Sequence, residues 1–386
     1  MPESPACLNA RVSLEEIRSL KRDFDTAYDL AVVSGKQRDV EKAQGLKRDL
    51  EAKTKALQET LSIVEAERLF DLRRQYEART ALLRNVGLVE TKKEADASGA
   101  EREVSFMIGI DGKVYPMPSY DTLVSRLAER KEFLEIKADQ GFTKLLLVPF
   151  GMSIDAMILK FKAHLLEYKK GHAAFGRTNP AVRDASDEPG WNPLWVWEDG
   201  YNGADANGTL VYNPISFDAS HTGATKTEML ARQEVDNDTA AGWRVLLLQG
   251  GENSKGYKGI PRDGQGKTEG TRIPRQDIEA GKTPRAYLAD QLAASGEQGS
   301  AYRNESGITP EEWIVMFMAH LEETGKPMDN YQNGADSIAY LTGAYFTASD
   351  DVPSAYWSRD ARQACVNGDD PDSVDEFVGV RSAVRV

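Results

Sequence analysis

The last nine residues, Val378-Gly379-Val380-Arg381-Ser382-Ala383-Val384-Arg385-Val386, alternate with a period of two. That alternation predicts a half-buried β-strand, so the carboxy terminus is tied into a sheet. Immediately before it runs Ala364-Cys365-Val366-Asn367-Gly368-Asp369-Asp370-Pro371-Asp372-Ser373-Val374-Asp375-Glu376-Phe377, polar and rich in turn formers. Such a stretch predicts an exposed loop, held in place by the strand that follows. A rigid sheet presenting a permissive loop is an architecture suited to binding.

Where the rest of the core lies follows from the aromatic residues. All six tryptophans (Trp191, Trp195, Trp197, Trp243, Trp313 and Trp357) fall at or after residue 191, which places the globular core in the carboxy-terminal part of the chain. A chain of 386 residues with 40% hydrophobic content is long enough for two or three domains. Its net charge of −13 argues against nucleic-acid partners, because phosphate affinity needs clustered Lys and Arg. Two cysteines, Cys7 and Cys365, form neither a disulfide framework nor a four-ligand zinc site. No window approaches the ~18 apolar residues that cross a bilayer, and Met1-Pro2-Glu3-Ser4 lacks a basic leader. The expectation is a cytoplasmic protein as synthesised, without membrane insertion and compatible with later incorporation into a virus particle.

The amino-terminal third reads as helix. Ser13-Leu14-Glu15-Glu16 has the form of a capping box, with Leu14, Ile17, Phe24, Tyr28 and Ala31 along one face. Ser34-Gly35-Lys36 breaks that helix. A second carries Val40, Ala43, Leu46, Leu50, Leu57, Leu61 and Val64 in a near-heptad stripe, continuing to Leu83. Residues 1–91 are therefore expected to form a helical hairpin or coiled coil, a surface for self-association. Residues 92–143 read as a linker with a small hairpin, turning at Asp111-Gly112, and a helix from Ser119 to about Gln140.

The main domain is expected over 144–386. Lys144-Leu145-Leu146-Leu147-Val148-Pro149-Phe150 suits a buried strand, Ser153 opens an amphipathic helix, and Thr309-Pro310-Glu311-Glu312 opens another. Residues 171–305 between those helices read as a Gly-rich insertion of turns and long loops, with Trp243 to Leu248 as a strand candidate.

Asp370-Pro371-Asp372, followed by Gly379-Val380-Arg381-Ser382-Ala383-Val384-Arg385 and preceded by Ala355-Tyr356-Trp357-Ser358-Arg359, resembles the carboxy end of the variable proteins of diversity-generating retroelements. The resemblance implies an α+β chain whose carboxy-terminal domain has a C-type-lectin fold of the formylglycine-generating-enzyme type. Within it, about residues 353–386 would form a variable region rewritten by adenine-directed mutagenesis. Exchangeable, ligand-facing side chains would be Ser354, Tyr356, Ser358, Asp360, Arg362, Ala364, Cys365, Asn367, Gly368, Asp369, Ser373, Val374, Asp375, Glu376 and Phe377. Trp357, Val366, Pro371, Gly379, Val380, Arg381 and Arg385 would be scaffold. The partner implied is a protein or other macromolecule.

Catalytic alternatives fare poorly on residues. Formylglycine-generating enzymes use a cysteine pair, and the carboxy-terminal domain has only Cys365. The phosphate-loop lookalike Pro261-Arg262-Asp263-Gly264-Gln265-Gly266-Lys267-Thr268 starts with a proline, which offers no amide hydrogen where the first glycine is needed. His164, His172, His221 and His320 show no ligand spacing, so no metal or cofactor is expected. Adjacent Glu311 and Glu312 point in different directions on a helix and suit its N-terminal dipole. The reading is a non-enzymatic ligand-binding protein. The alternative is a structural or assembly protein that works through its coiled coil, with the other domain as a cap.

Overall fold

A computed structural model describes residues 5–95, 101–177, 179, 181, 183, 185–331 and 337–386. The chain is α+β and divides into two compact units, Met1–Arg73 with Asp121–Leu134, and Arg74–Tyr120 with Glu135–Val386.

In the first unit a helical pair forms, but Leu14, Tyr28 and Leu61 of the expected apolar faces are exposed in it. Helices α1 (Pro5–Ser34) and α2 (Gln37–Phe70) pack side by side around Ala27, Ala31 and Ala43, with Val40 and Leu46 against them. Gly35, at φ +61°, makes the turn between them, a conformation costly for a residue with a Cβ. Lys53 of α2 reaches Glu16 of α1 at 2.5 Å. The capping-box reading at Ser13 is corrected: the helix already runs from Pro5, so Ser13 lies inside it. The long second helix also ends earlier than its apolar stripe suggests. Asp71 turns left-handed (φ 47°) and separates α2 from α3 (Leu72–Asn85). Within the predicted Ser119–Gln140 helix the chain breaks at Arg130, giving α4 (Tyr120–Glu129) and α5 (Lys131–Asp139).

Part of the expected linker is strand. β1 (Glu90–Ala95), β2 (Glu101–Ile108) and β3 (Val114–Pro116) form an antiparallel sheet, and residues 96–100 lie outside the described part. Along the chain then come β4 (Phe142–Val148), α6 (Ile154–Gly171), β5 (Leu194–Val196), α7 (Glu198–Tyr201), β6 (Leu210–Tyr212), α8 (Lys226–Val235) and β7 (Arg244–Gln249). They are followed by β8 (Thr268–Glu269), β9 (Arg275–Gln276), α9 (Pro284–Gly296), β10 (Glu305–Gly307), α10 (Pro310–Thr324), β11 (Asn330–Tyr331) and β12 (Ile338–Tyr340). The chain closes with β13 (Ala344–Phe346), β14 (Val352–Ser358), β15 (Gln363–Asp369), β16 (Val378–Val380) and β17 (Ser382–Arg385).

Two sheets organise the second unit. The first has the order β10-β17-β7-β4, and the second β16-β12-β14-β15-β5 with β11 added beside β14. Residues 171–305 do not simply hang off this core: β7 sits between β4 and β17, pairing Leu247 with both Leu145 and Val384. The continuous apolar run Val245-Leu246-Leu247-Leu248 is buried throughout, and both edges of its strand are paired in the centre of the sheet. The terminal strand, expected as one, is two. The chain leaves the second sheet after Val380 and enters the first at Ser382, changing sheets at Arg381.

Helix α10 lies between the layers. It is capped by Thr309, with the Glu312 carboxylate accepting from the Thr309 amide at 2.9 Å, and everything from Pro310 to Ala319 is buried. A helix apolar on all sides must be central, and this one contacts α6, β4 and β14. Its Trp313 and Phe317 rings meet Phe161, and Phe317 continues to Trp357 of β14, centroids 6.1 Å apart.

Candidate functional site

Alternation along β14 and β15 decides which predicted site residues face outward. Cross-strand pairing sets Ser354 opposite Asn367, Tyr356 opposite Cys365, and Ser358 opposite Gln363. The neighbours at Ala355, Trp357, Ala364, Val366 and Gly368 therefore point to the other face. That inner face is closed: Ala355, Trp357, Ala364 and Val366 are fully buried. The expectation of a loop over 364–369 is corrected, because β15 is pinned by β14 on one side and by the parallel β5 on the other. Its polar composition conceals the strand, since half of its residues need no apolar surroundings.

The predicted site residues therefore separate into groups. Ser354, Arg362, Ala364 and Cys365 are buried. Gly368 is confined as well, since a Cβ there would run into the Trp197 ring. Arg362 holds a left-handed conformation, φ 56°, in the turn between β14 and β15, next to exposed Asp360. Tyr356, Ser358, Asn367 and Asp369 are half-buried on the outer face. Ser373, Val374 and Glu376 are exposed on the segment between β15 and β16, and Asp375 and Phe377 are half-buried there.

What the structure brings together is an aromatic row with carboxylates at one end. Tyr331 of β11 stands edge-on to Tyr356, centroids 6.1 Å apart, and lies against Phe377 at 4.7 Å. Trp195 of β5 is the register partner of Cys365 and remains 41% exposed. Burial pushes the Asp369 carboxyl above its usual range, opposed by the Ser354 hydroxyl and reinforced by the charges of Asp351 and Asp375. Tyr340 of β12 is held in the phenol form by its burial and by Asp369, Asp375 and Asp370. Sequence reasoning missed Tyr331 and Trp195. The alternation Leu194-Trp195-Val196 carried a signal for the second; a two-residue strand gave none for the first.

The expected scaffold positions are held from behind. Arg381, 8% exposed, donates from Nε to Asp329 at 3.3 Å and from its Nη atoms to Asp329 and to the Lys258 carbonyl. Asp329 also accepts from the Trp313 indole at 2.9 Å. Arg385 donates to Asn213 at 2.5 Å.

The clusters that resemble chemistry are accounted for by packing. Lys226, fully buried, reaches Asp205 at 2.6 Å, Glu311 at 2.9 Å and the Met152 carbonyl at 2.7 Å. Burial alone would raise the Glu311 carboxyl, but Lys226 and a hydrogen bond from Tyr212 outweigh it and hold the carboxyl down. Glu312 turns the other way, to Arg244 at 2.8 Å. In the phosphate-loop lookalike, the amides of Gly266 and Lys267 already donate to Glu279 (2.6 Å) and Asp277 (2.9 Å). A phosphate there would meet two carboxylates instead of vacant N–H groups. Among the described residues no His, Cys, Asp and Glu group has the geometry to hold a metal ion. Among them, too, no helix is long and apolar enough to cross a membrane.

Comparison with known proteins finds no matching family model, no matching curated protein and no matching solved structure.

Proposed function

We propose that the chain is a non-enzymatic ligand-binding protein of the kind diversified by a retroelement, with a C-type-lectin-like domain over residues 144–386. Its partner-facing surface is the outer face of β14 and β15 together with residues 373–377. The observation that carries this reading is the half-exposed group of Tyr331, Tyr356 and Phe377 beside Asn367 and Asp369, on strands whose opposite face is sealed. Aromatic side chains anchored on a preorganised sheet lose little freedom on binding, and a few of them dominate the affinity of an interface. The resemblance of Asp370-Pro371-Asp372 and Gly379-Val380-Arg381 to the variable proteins supports the same assignment. The partner is a protein or another macromolecule.

The flanking DNA tests this directly. The reading expects a reverse transcriptase gene nearby and an imperfect copy of the 3′ end of this gene that differs at adenines. The differences should fall in codons for Tyr356, Asn367, Asp369 and 373–377, sparing Trp357 and Val366. A locus with neither element defeats the proposal.

A further inference from the structure

In the second unit a cavity of about 680 Å³ lies where the loop after α6, the loop after β7 and the carboxy end of α10 meet. Its charge is one-sided, in a chain whose net charge is −13. The described lining residues include five cations, Arg177, Arg262, Lys326, Arg359 and Arg381, and one carboxylate, Asp329. That carboxylate is already engaged by Arg381 and by the Trp313 indole. The last turn of α10 presents no bare carbonyls at His320 and Leu321, which accept from the Thr324 hydroxyl at 2.7 Å and the Gly325 amide at 2.8 Å.

Basic side chains alone are an ordinary surface property. A separate feature is His320, which lines the cavity with its ring fixed. Its Nδ1 accepts from the Tyr257 amide at 3.0 Å, and burial together with Arg381 holds its pKa at about 4, so the ring is neutral. A neutral imidazole whose Nδ1 accepts carries its proton on Nε2. That Nε2 has no hydrogen-bond partner among the described residues and is not enclosed by protein, so an oriented N–H donor is presented to the cavity. Cations flank it. Arg359 donates from Nε to the neutral side chain of Asn330 at 2.7 Å, and Arg262 lies over the Phe377 ring at 5.4 Å. A guanidinium holds five N–H donors, so contacts of this kind and an added acceptor are compatible on one group. Lys326 is exposed and pairs with no acid among the described residues.

We infer that this cavity binds a phosphate monoester, with His320 Nε2 and the guanidinium groups of Arg262 and Arg359 donating to its oxygens and Lys326 countering its charge. Phosphate suits donors that arrive from several elements, because it offers three free oxygens in different directions, whereas a carboxylate offers two in one plane. One phosphate fills only a small part of the cavity, which leaves space for the body esterified to it. The site adjoins the aromatic row through Arg262 and Phe377, but the inference does not depend on the role of that row.

The test is a fluorescence-anisotropy titration of the full chain with a labelled glycine-rich peptide carrying one phosphoserine, beside its glutamate and serine counterparts. Saturable binding of the phosphopeptide is expected, with the glutamate peptide about ten-fold weaker and the serine peptide inert. Inorganic phosphate should displace the label only at higher concentration than unlabelled phosphopeptide does. The triple variant R262Q/K326Q/R359Q should weaken binding about ten-fold or more. A control with the same net charge, K160Q/R232Q/R303Q, removes exposed cations elsewhere in the unit and should leave affinity unchanged. Lys326→Glu, at an exposed position, should weaken binding about five-fold and gives the same answer if melting curves show the triple variant to be unfolded. Nitrogen NMR of the histidine rings reads the donor. His320 should be the Nε2–H tautomer in the free chain, and the phosphopeptide should shift its Nε2 resonance, which His320→Gln identifies by its loss. No saturable binding, equal affinity for the glutamate peptide, or equal weakening in both triple variants overturns the inference. Displacement by inorganic phosphate at equal or lower concentration assigns the site to the free ion and overturns the ester, and an unmoved Nε2 resonance overturns the role of His320. None of these outcomes bears on the flanking-DNA test of the proposed function.

Discussion

The two faces of the β14–β15 ribbon are made from the same strands yet live in different solvents. On the inner face, Ala355, Trp357, Ala364 and Val366 have no exposure, and Trp357 packs between Phe175 and Phe317. On the outer face, one residue away in each case, Tyr356 and Asn367 are half-exposed. Pleat parity separates a closed inner face from a partly open outer one, and on the outer face Ser354 and Cys365 are buried although they share the parity of Tyr356 and Asn367. A stretch can be half framework and half surface with no boundary visible along the chain.

The comparison breaks most visibly at Trp357. Trp357→Ala should lower stability by about 3–5 kcal/mol, because removing a large buried ring leaves a cavity that the sheet cannot close. Chemical denaturation of both proteins reads this, and a loss below 1 kcal/mol would show that the inner face is not framework. Arg381→Ala comes next, at about 3 kcal/mol, since it leaves Asp329 buried without its cation. Restoring a positive charge with lysine should recover only part of that loss, because Lys lacks the two-pronged geometry.

Acid sharpens the contrast from the side of the helices behind the sheets. Burial holds His164 near pKa 4, and burial together with Arg381 does the same for His320, against 6.5 for a free imidazole. Both folded values are depressed, so the neutral rings stabilise fully above pH 6.5, and that contribution drains away as pH falls from 6.5 through 4. Glu323 adds a second phase: its burial is outweighed by Arg79 and Lys144, its carboxyl sits at about 2 against 4.5, and its contribution is lost below pH 4.5. The melting temperature should therefore fall in two stages on acidification. In His320→Gln the first stage should shrink; an unaltered profile would contradict the assignment.

Gly368→Ala probes the parity rule at a position where composition alone suggests a loop. The added methyl meets the Trp197 ring, and overpacking of this kind costs about 1–3 kcal/mol. The smallest effect is expected from the triple variant N367A/V374A/E376A, within about 0.5 kcal/mol per site, because these side chains fill no closed space. If thermal unfolding shows this triple to be as damaging as Gly368→Ala, the distinction between the faces does not hold.

Local chemistry made some elements legible. Thr309-Pro310-Glu311-Glu312 caps a helix through neighbours three residues apart, and Ser153 accepts from Ala156 at 3.3 Å for the same reason. The helical pair followed from spacing and a turn glycine. Elements defined by distant partners were concealed. β15 reads as loop because Asn367, Gly368 and Asp369 disfavour strands on their own, and only pairing with β14 and β5 makes them one. The breaks at Asp71 and Arg130 carry no glycine or proline to announce them. In the candidate site, the alternation of Tyr356 and Asn367 was present in the sequence, whereas Tyr331 arrives from a two-residue strand across the sheet.

By itself, then, the sequence determined the starts of the helices at Ser153 and Thr309, where the tryptophan-rich core lies and that residues 382–385 are strand, because local capping and alternation mark these. Tertiary structure alone decided that the chain changes sheets at Arg381, and that Cys365 is buried while Asn367, on the same face of the same strand, is not. Those outcomes depend on which distant segment supplies a hydrogen bond, a charge or a ring, and no local pattern records that choice.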